Sequence, residues 1–172
     1  IDPELRSSKA AAEIAVLKDL GLQAEELDLR DFFGKDKGLT EKLSIYGGVW
    51  VRGGNSFVLR KAMAYSGFDR WLKQKSGATD FVYGGYSAGV CVLGPDLHGI
   101  DLVDPVTEVP EGYQPEVIWE GLGIIPFYFA PHFQSDHPES AAIEKSIAYF
   151  EAHHLPYKAL HDGVVILGAT LV

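Results

Sequence analysis

Apolar residues recur at helical spacing at Ala11, Ile14, Leu17 and Leu20, with Ser7 or Ser8 as an N-cap and Gly21 as a C-terminal stop. The chain therefore opens with a helix. An alternating run over Ala24–Leu29 predicts a strand, and Thr40 predicts the cap of a short second helix. Gly48–Val51 is a compact apolar strand that ends in Arg52, Gly53, Gly54 and Asn55, and Ser56–Ser66 is again helical and closed by Gly67. A helical piece follows through Trp71 and Leu72. Asp80–Tyr83 predicts a buried strand that runs into Gly84–Gly89 and a small-residue helix reaching Gly94 and Pro95. Residues 96–121 are rich in Pro, Gly and Asp and predict loops. Ile124–Ala130 predicts a strand that Pro126 either bends or puts at an edge, and Pro131-His132-Phe133 ends it. Glu139–Ala152 carries Ile143, Ile147 and Phe150 on one helical face, and Lys158–Leu160 and Val164–Leu167 predict strands around His161-Asp162-Gly163. Strands alternating with helices predict an α/β fold: a doubly wound, mostly parallel sheet with helices on both faces.

Composition narrows the function classes. Of the 172 residues, 47% are hydrophobic and 23% charged, which supports a packed core rather than disorder. The net charge of −9, from 15 Lys+Arg and 24 Asp+Glu with no basic cluster, excludes a nucleic-acid surface and an anionic-membrane patch. The longest apolar stretches, 121–131 and 163–172, are too short to span a bilayer. The single Cys91 rules out an internal disulfide and points to a reducing cytoplasm.

The chemistry concentrates in two glycine turns at strand ends. Gly85-Tyr86-Ser87-Ala88-Gly89 is a GxSxG pattern between a strand and a helix. Such a turn thrusts a serine hydroxyl above the sheet, and its glycines avoid collisions with neighbouring elements. The Ala88 amide and the following helix then face any oxyanion formed at Ser87. Gly53-Gly54-Asn55 leaves another strand and could supply a second amide donor, with Arg52 and Asn55 as candidates for touching substrate. Open α/β sheets bind ligands where such strand ends meet. Among six histidines, His132 is favoured as the base because it follows a strand end as Ser87 does; His161 is the runner-up. For the acid that orients the base, spacing leaves Asp162, Asp101, Asp104 and Asp136 open. Cys91 reads as a packing residue. A metal site from His132, Asp136 and His137 lacks regular ligand spacing, so neither metal nor cofactor is expected.

Four segments in order, Val51–Phe57, Gly85–Gly89, Pro131–Phe133 and Leu160–Gly163, resemble the successive motifs of the aspartyl dipeptidase and cyanophycinase family of serine peptidases. The resemblance spans nearly the whole chain. It implies a class I glutamine-amidotransferase-like fold and a Ser-His-Glu type triad, with Ser87 as nucleophile, His132 as base and Asp162 at the acid position. It also implies oxyanion amides at Gly54 and Ala88 and a short peptide as substrate. Two departures stand out. Asp162 is one methylene shorter than the family's Glu, which keeps Asp101 as the alternative acid, and Arg52 replaces the first glycine of the family's Gly-Gly-Gly-Asn turn. The arginine that aspartyl dipeptidases carry on the helix after the base is missing from residues 138–145, so aspartate selectivity does not carry over. With no Met at the start and no strand before the first helix, the expectation is one catalytic domain over 1–172 that lacks its first strand. An edge strand or an exposed helix leaves room for a homodimer. The competing readings are an α/β-hydrolase esterase, whose triad runs Ser, acid, His along the chain, and an inactive binding module of the same fold.

Overall fold

The computed structural model describes residues 3–75 and 77–168. Its elements in chain order are α1 (Pro3–Asp19), α2 (Asp36–Leu43), β1 (Gly48–Val51), α3 (Ser56–Ser66), α4 (Phe68–Gln74), β2 (Val82–Gly85), α5 (Ala88–Cys91), β3 (Tyr128–Ala130), α6 (Ser140–Ala152) and β4 (Tyr157–Ala159). Short 3₁₀ turns occupy Leu29–Phe32 and Ile100–Leu102. Strands β1 and β2 pair in parallel, with Val51 opposite Gly85, and β3 and β4 pair in parallel, with Ala130 opposite Ala159. Parallel neighbours joined through helices make this an α/β fold. Among the described residues the strands form two separate two-stranded sheets rather than one continuous sheet.

One apolar core runs between them. It includes Phe57 and Met63 of α3, Phe68, Trp71 and Leu72 of α4, Val92 and Leu97 after α5, Tyr128–Ala130 of β3, and Ile143 and Phe150 of α6. Helix α3 forms where predicted: the Asn55 side chain accepts from the Phe57 and Val58 amides, and Gly67 ends the helix at φ 79°. Cationic side chains of α3 then fasten the long 96–121 segment. The buried Lys61 donates from Nζ to Gln114 O at 3.0 Å, and Arg60 donates to Glu120 O at 2.8 Å while pairing with Asp69 at 3.1 Å. Among the described residues, no helix is long and apolar enough to cross a membrane.

Several predicted elements come out differently. Among the described residues no strand pairs with residues 22–28, and the alternation over Ala24–Leu29 leads into a 3₁₀ turn. Thr40 lies inside α2, which starts at Asp36 without a side-chain cap. Strand β2 sits two residues later than predicted, and Val82 is exposed rather than buried. The stretch before β3 bends over residues 124–127 around Pro126, which leaves only three residues of fully buried strand. Val164–Leu167 forms no strand, and Val164, Val165 and Leu167 are exposed. Helix α1 begins before Ser7 and Ser8, and of its described side chains from residue 8 onward Ala10 alone is buried.

Candidate active site

The turn from β2 to α5 holds Ser87 at φ 51°, ψ −123°. These are the angles of the first central residue of a type II′ turn, a conformation that glycine adopts most readily. The turn is closed by Gly89 N donating to Tyr86 O at 2.9 Å. Its two flanking glycines are dictated by the end of β1. A Cβ at Gly85 would lie 2.7 Å from Val51 O, and one at Gly89 only 2.3 Å from the same oxygen. Glycine at both positions lets β1 and α5 approach closely enough to present Ser87. The half-buried Tyr83 donates from its hydroxyl to Gly89 O, and desolvation raises its pKa.

The second glycine turn lies alongside. A Cβ at Gly53 would come within 2.9 Å of Ser87 Cβ, and Gly54, at φ 143°, faces open space. Among the described residues, neither the Gly54 nor the Ala88 amide donates a backbone hydrogen bond. Both amides are thus available beside the Ser87 turn, as an oxyanion requires.

His132 comes from the other sheet. It follows β3 at φ 62°, again unusual for a residue other than glycine. Pairing continues beyond the strands through Leu160 N to Ala130 O at 2.9 Å and Phe133 N to Leu160 O at 3.0 Å, which carries the loop after β4 alongside His132. Ser135 completes that register, because its Oγ accepts from Asp162 N at 2.8 Å. The result is a 2.7 Å contact between His132 Nδ1 and Asp162 Oδ1. A carboxylate can only accept, so this contact puts the proton on Nδ1 and leaves Nε2 as the free lone pair. Among the described residues no hydrogen bond joins Ser87 Oγ to His132.

Two of the other acid candidates, Asp101 and Asp104, are committed elsewhere. Asp101 Oδ1 accepts from Gly99 N at 2.8 Å, and the buried Asp104 accepts from Ser56 N at 2.8 Å. Burial raises the Asp104 pKa against the lowering effect of that bond. The runner-up base His161 turns its Nδ1 to Asp162 O at 2.7 Å. Both substrate-binding candidates are also engaged within the chain. Asn55 caps α3 and donates to Pro105 O at 2.9 Å and Glu108 Oε2 at 3.1 Å. Arg52 pairs through Nε with Glu13 Oε1 at 3.0 Å, and the Tyr86 hydroxyl donates to the same oxygen at 2.8 Å. Burial opposes charge on Arg52, but hydrogen bonding and charge attraction from Glu13 and Tyr86 together outweigh it and the guanidinium pKa is raised. Cys91 is fully buried, which pushes its thiol pKa up and leaves it inert as a nucleophile.

The sequence description of Peptidase family S51 matches residues 8–169. The chain belongs to peptidase family S51. Its S51 relatives include an uncharacterized peptidase, Lmo0363, of Listeria monocytogenes, 25% identical over 91% of this chain and 73% of that protein. Peptidase E of Streptomyces coelicolor is 30% identical over 67% of this chain and 46% of its own length. The 1.5 Å crystal structure of a Listeria monocytogenes EGD-e protein named for peptidase E superposes with a TM-score of 0.67 at 25% identity, covering 84% of this chain and 64% of that one. The chain thus spans between about half and three quarters of the length of these S51 proteins.

Sequence reasoning missed Tyr83, Ser135 and Glu139 at the candidate site. Tyr83 and Ser135 act through backbone hydrogen bonds that leave no spacing signal, whereas Glu139 follows His132 and His137 closely enough to have been weighed with them.

Proposed function

We propose that this chain is a serine peptidase that hydrolyses short peptides, dipeptides among them, in the cytoplasm. Ser87 attacks the scissile carbonyl, and His132 Nε2 takes the hydroxyl proton. The Gly54 and Ala88 amides bind the oxyanion, and the C–N bond breaks as His132 returns the proton to the leaving amine. Water, activated by His132, then hydrolyses the acyl-enzyme. Asp162 holds the imidazole in the tautomer that leaves Nε2 free. The observation that carries this reading is the 2.7 Å His132–Asp162 contact, together with a serine held at a strained strand-to-helix turn. The Ser87–His132 hydrogen bond is the member that must form when substrate binds, since catalytic hydrogen bonds are commonly long or poorly aligned before then.

The test is covalent labelling with a fluorophosphonate alongside hydrolysis of a dipeptide library. Ser87→Ala loses both. Labelling that persists at full strength in Ser87→Ala overturns the assignment.

A further inference from the structure

The surroundings of His132 hold more than a base and its carboxylate. His132 and His137 stack with ring centroids 3.7 Å apart and planes within 7° of parallel. Glu139 Oε2 stands 4.0 Å from His132 Nε2 and 4.0 Å from His137 Nδ1. One donor atom from each of the three residues falls within 4.8 Å of the other two. Two imidazoles and a carboxylate form a donor set suited to zinc and its neighbours among the divalent transition metals.

We propose that His132, His137 and Glu139 form a binding site for a divalent transition-metal ion such as Zn²⁺, and that the bound ion switches the peptidase off by occupying His132 Nε2. The inhibitory part rests on the function proposed above, whereas the binding site does not.

The protonation pattern favours metal binding. Asp162 accepts from His132 Nδ1 at 2.7 Å, so the lone pair on Nε2 is available. A histidine held by a carboxylate on one nitrogen and offered to a metal on the other is the usual outer arrangement of zinc sites. His137 Nδ1 is also a lone-pair atom here, since it accepts a long 3.2 Å bond from Glu139 N. Zinc ligands at about 2.0–2.2 Å in tetrahedral array lie about 3.4 Å from one another, so Glu139 must close by about 0.6 Å on each nitrogen. Its side chain, 41% exposed, has room to do so. The parallel rings must also tilt until their lone pairs converge. His137 lies in a segment of turns and bends between β3 and α6 that no strand or helix holds rigid. The carboxylate and the second imidazole come from outside the proposed triad, so they bring the ion to the nitrogen that must receive the Ser87 proton. One lone pair cannot hold both.

Binding is measured by calorimetric titration of Zn²⁺ into the full chain carrying Ser87→Ala, in chelator-free buffer. One ion binds per chain, and affinity falls at least about tenfold when His137→Ala or Glu139→Gln is added. Asp136→Asn, a neighbouring carboxylate outside the donor set, leaves it unchanged. Absence of saturable binding, or binding indifferent to both His137→Ala and Glu139→Gln, overturns the site. With Ser87 present, Zn²⁺ suppresses hydrolysis and a chelator restores it. The Zn²⁺ concentration for half-inhibition, taken against each variant's own metal-free rate, rises at least about tenfold in Glu139→Gln. Zinc binding that leaves hydrolysis untouched refutes the off-switch. Zinc binding by a chain with no metal-free hydrolysis or labelling upholds the ion site and overturns the peptidase function instead.

Discussion

Replacing Gly89 with Ala tests whether the contact between β1 and α5 builds the Ser87 turn. The new Cβ would sit 2.3 Å from Val51 O and 2.9 Å from Val51 C, both backbone atoms that cannot swing aside. Real Cβ contacts essentially never fall below 3.0 Å, so α5 must retreat from β1 by about 0.7 Å to reach that limit. Ordinary contact takes about 1 Å. Overpacking of this kind destabilises by roughly 1–3 kcal/mol, or a fall of about 2–12 °C in Tm for a domain of this size. The chemistry suffers more, because α5 carries Ser87 and the Ala88 amide with it. A displacement of about 1 Å in a catalytic group commonly lowers the rate about 10²-fold. Thermal unfolding gives the first quantity and the rate of fluorophosphonate labelling the second. Gly47→Ala is the control, since a Cβ there meets nothing nearer than 3.8 Å. A Gly89→Ala chain that melts and labels like the parent would show that Val51 does not dictate this glycine, and the steric account of the turn would fall.

Asp162→Asn lowers kcat by roughly 10²–10⁴, because an amide no longer secures the tautomer of His132, while Asp101→Asn leaves kcat within about twofold; the reverse ranking in steady-state kinetics would transfer the orienting role to Asp101. For Asp104, burial raises the folded-state pKa above the unfolded value. Its contribution to stability is therefore present below the unfolded pKa and lost as pH rises through the folded one. Urea unfolding across a pH series should show the parent losing stability relative to Asp104→Asn as pH rises from the ordinary carboxylate range, and a constant difference would contradict the burial argument.

The two glycine turns, α3 and the placement of Ser87 were legible because local rules decide them. A cap at Asn55, a stop at Gly67 and small residues around a serine each require one conformation whatever the rest of the chain does. The alternating run over Ala24–Leu29 failed for the opposite reason. Alternation makes a strand only where a partner offers its edge, and among the described residues no strand lies against residues 22–28. Val164–Leu167 is apolar yet exposed, so its pattern predicted burial that the described residues do not provide. At the site, spacing could rank His132 above the other histidines but could not choose among four aspartates. That choice depends on the register of β3 against β4 and on Ser135 holding the Asp162 amide.

Ser87 and His132 are two of only four non-glycine residues with positive φ among the described residues, beside Gln134 and His154. Each such conformation stores about 1–3 kcal/mol of strain, more than the roughly 0.5–1 kcal/mol of chain entropy that a glycine would add. Ser87→Gly should then raise the urea midpoint while ending turnover, and a lowered midpoint would show the turn to be relaxed. Stability alone would favour glycine at Ser87. The sequence that folds best and the sequence that reacts are different sequences, and this chain holds the second at the expense of the first.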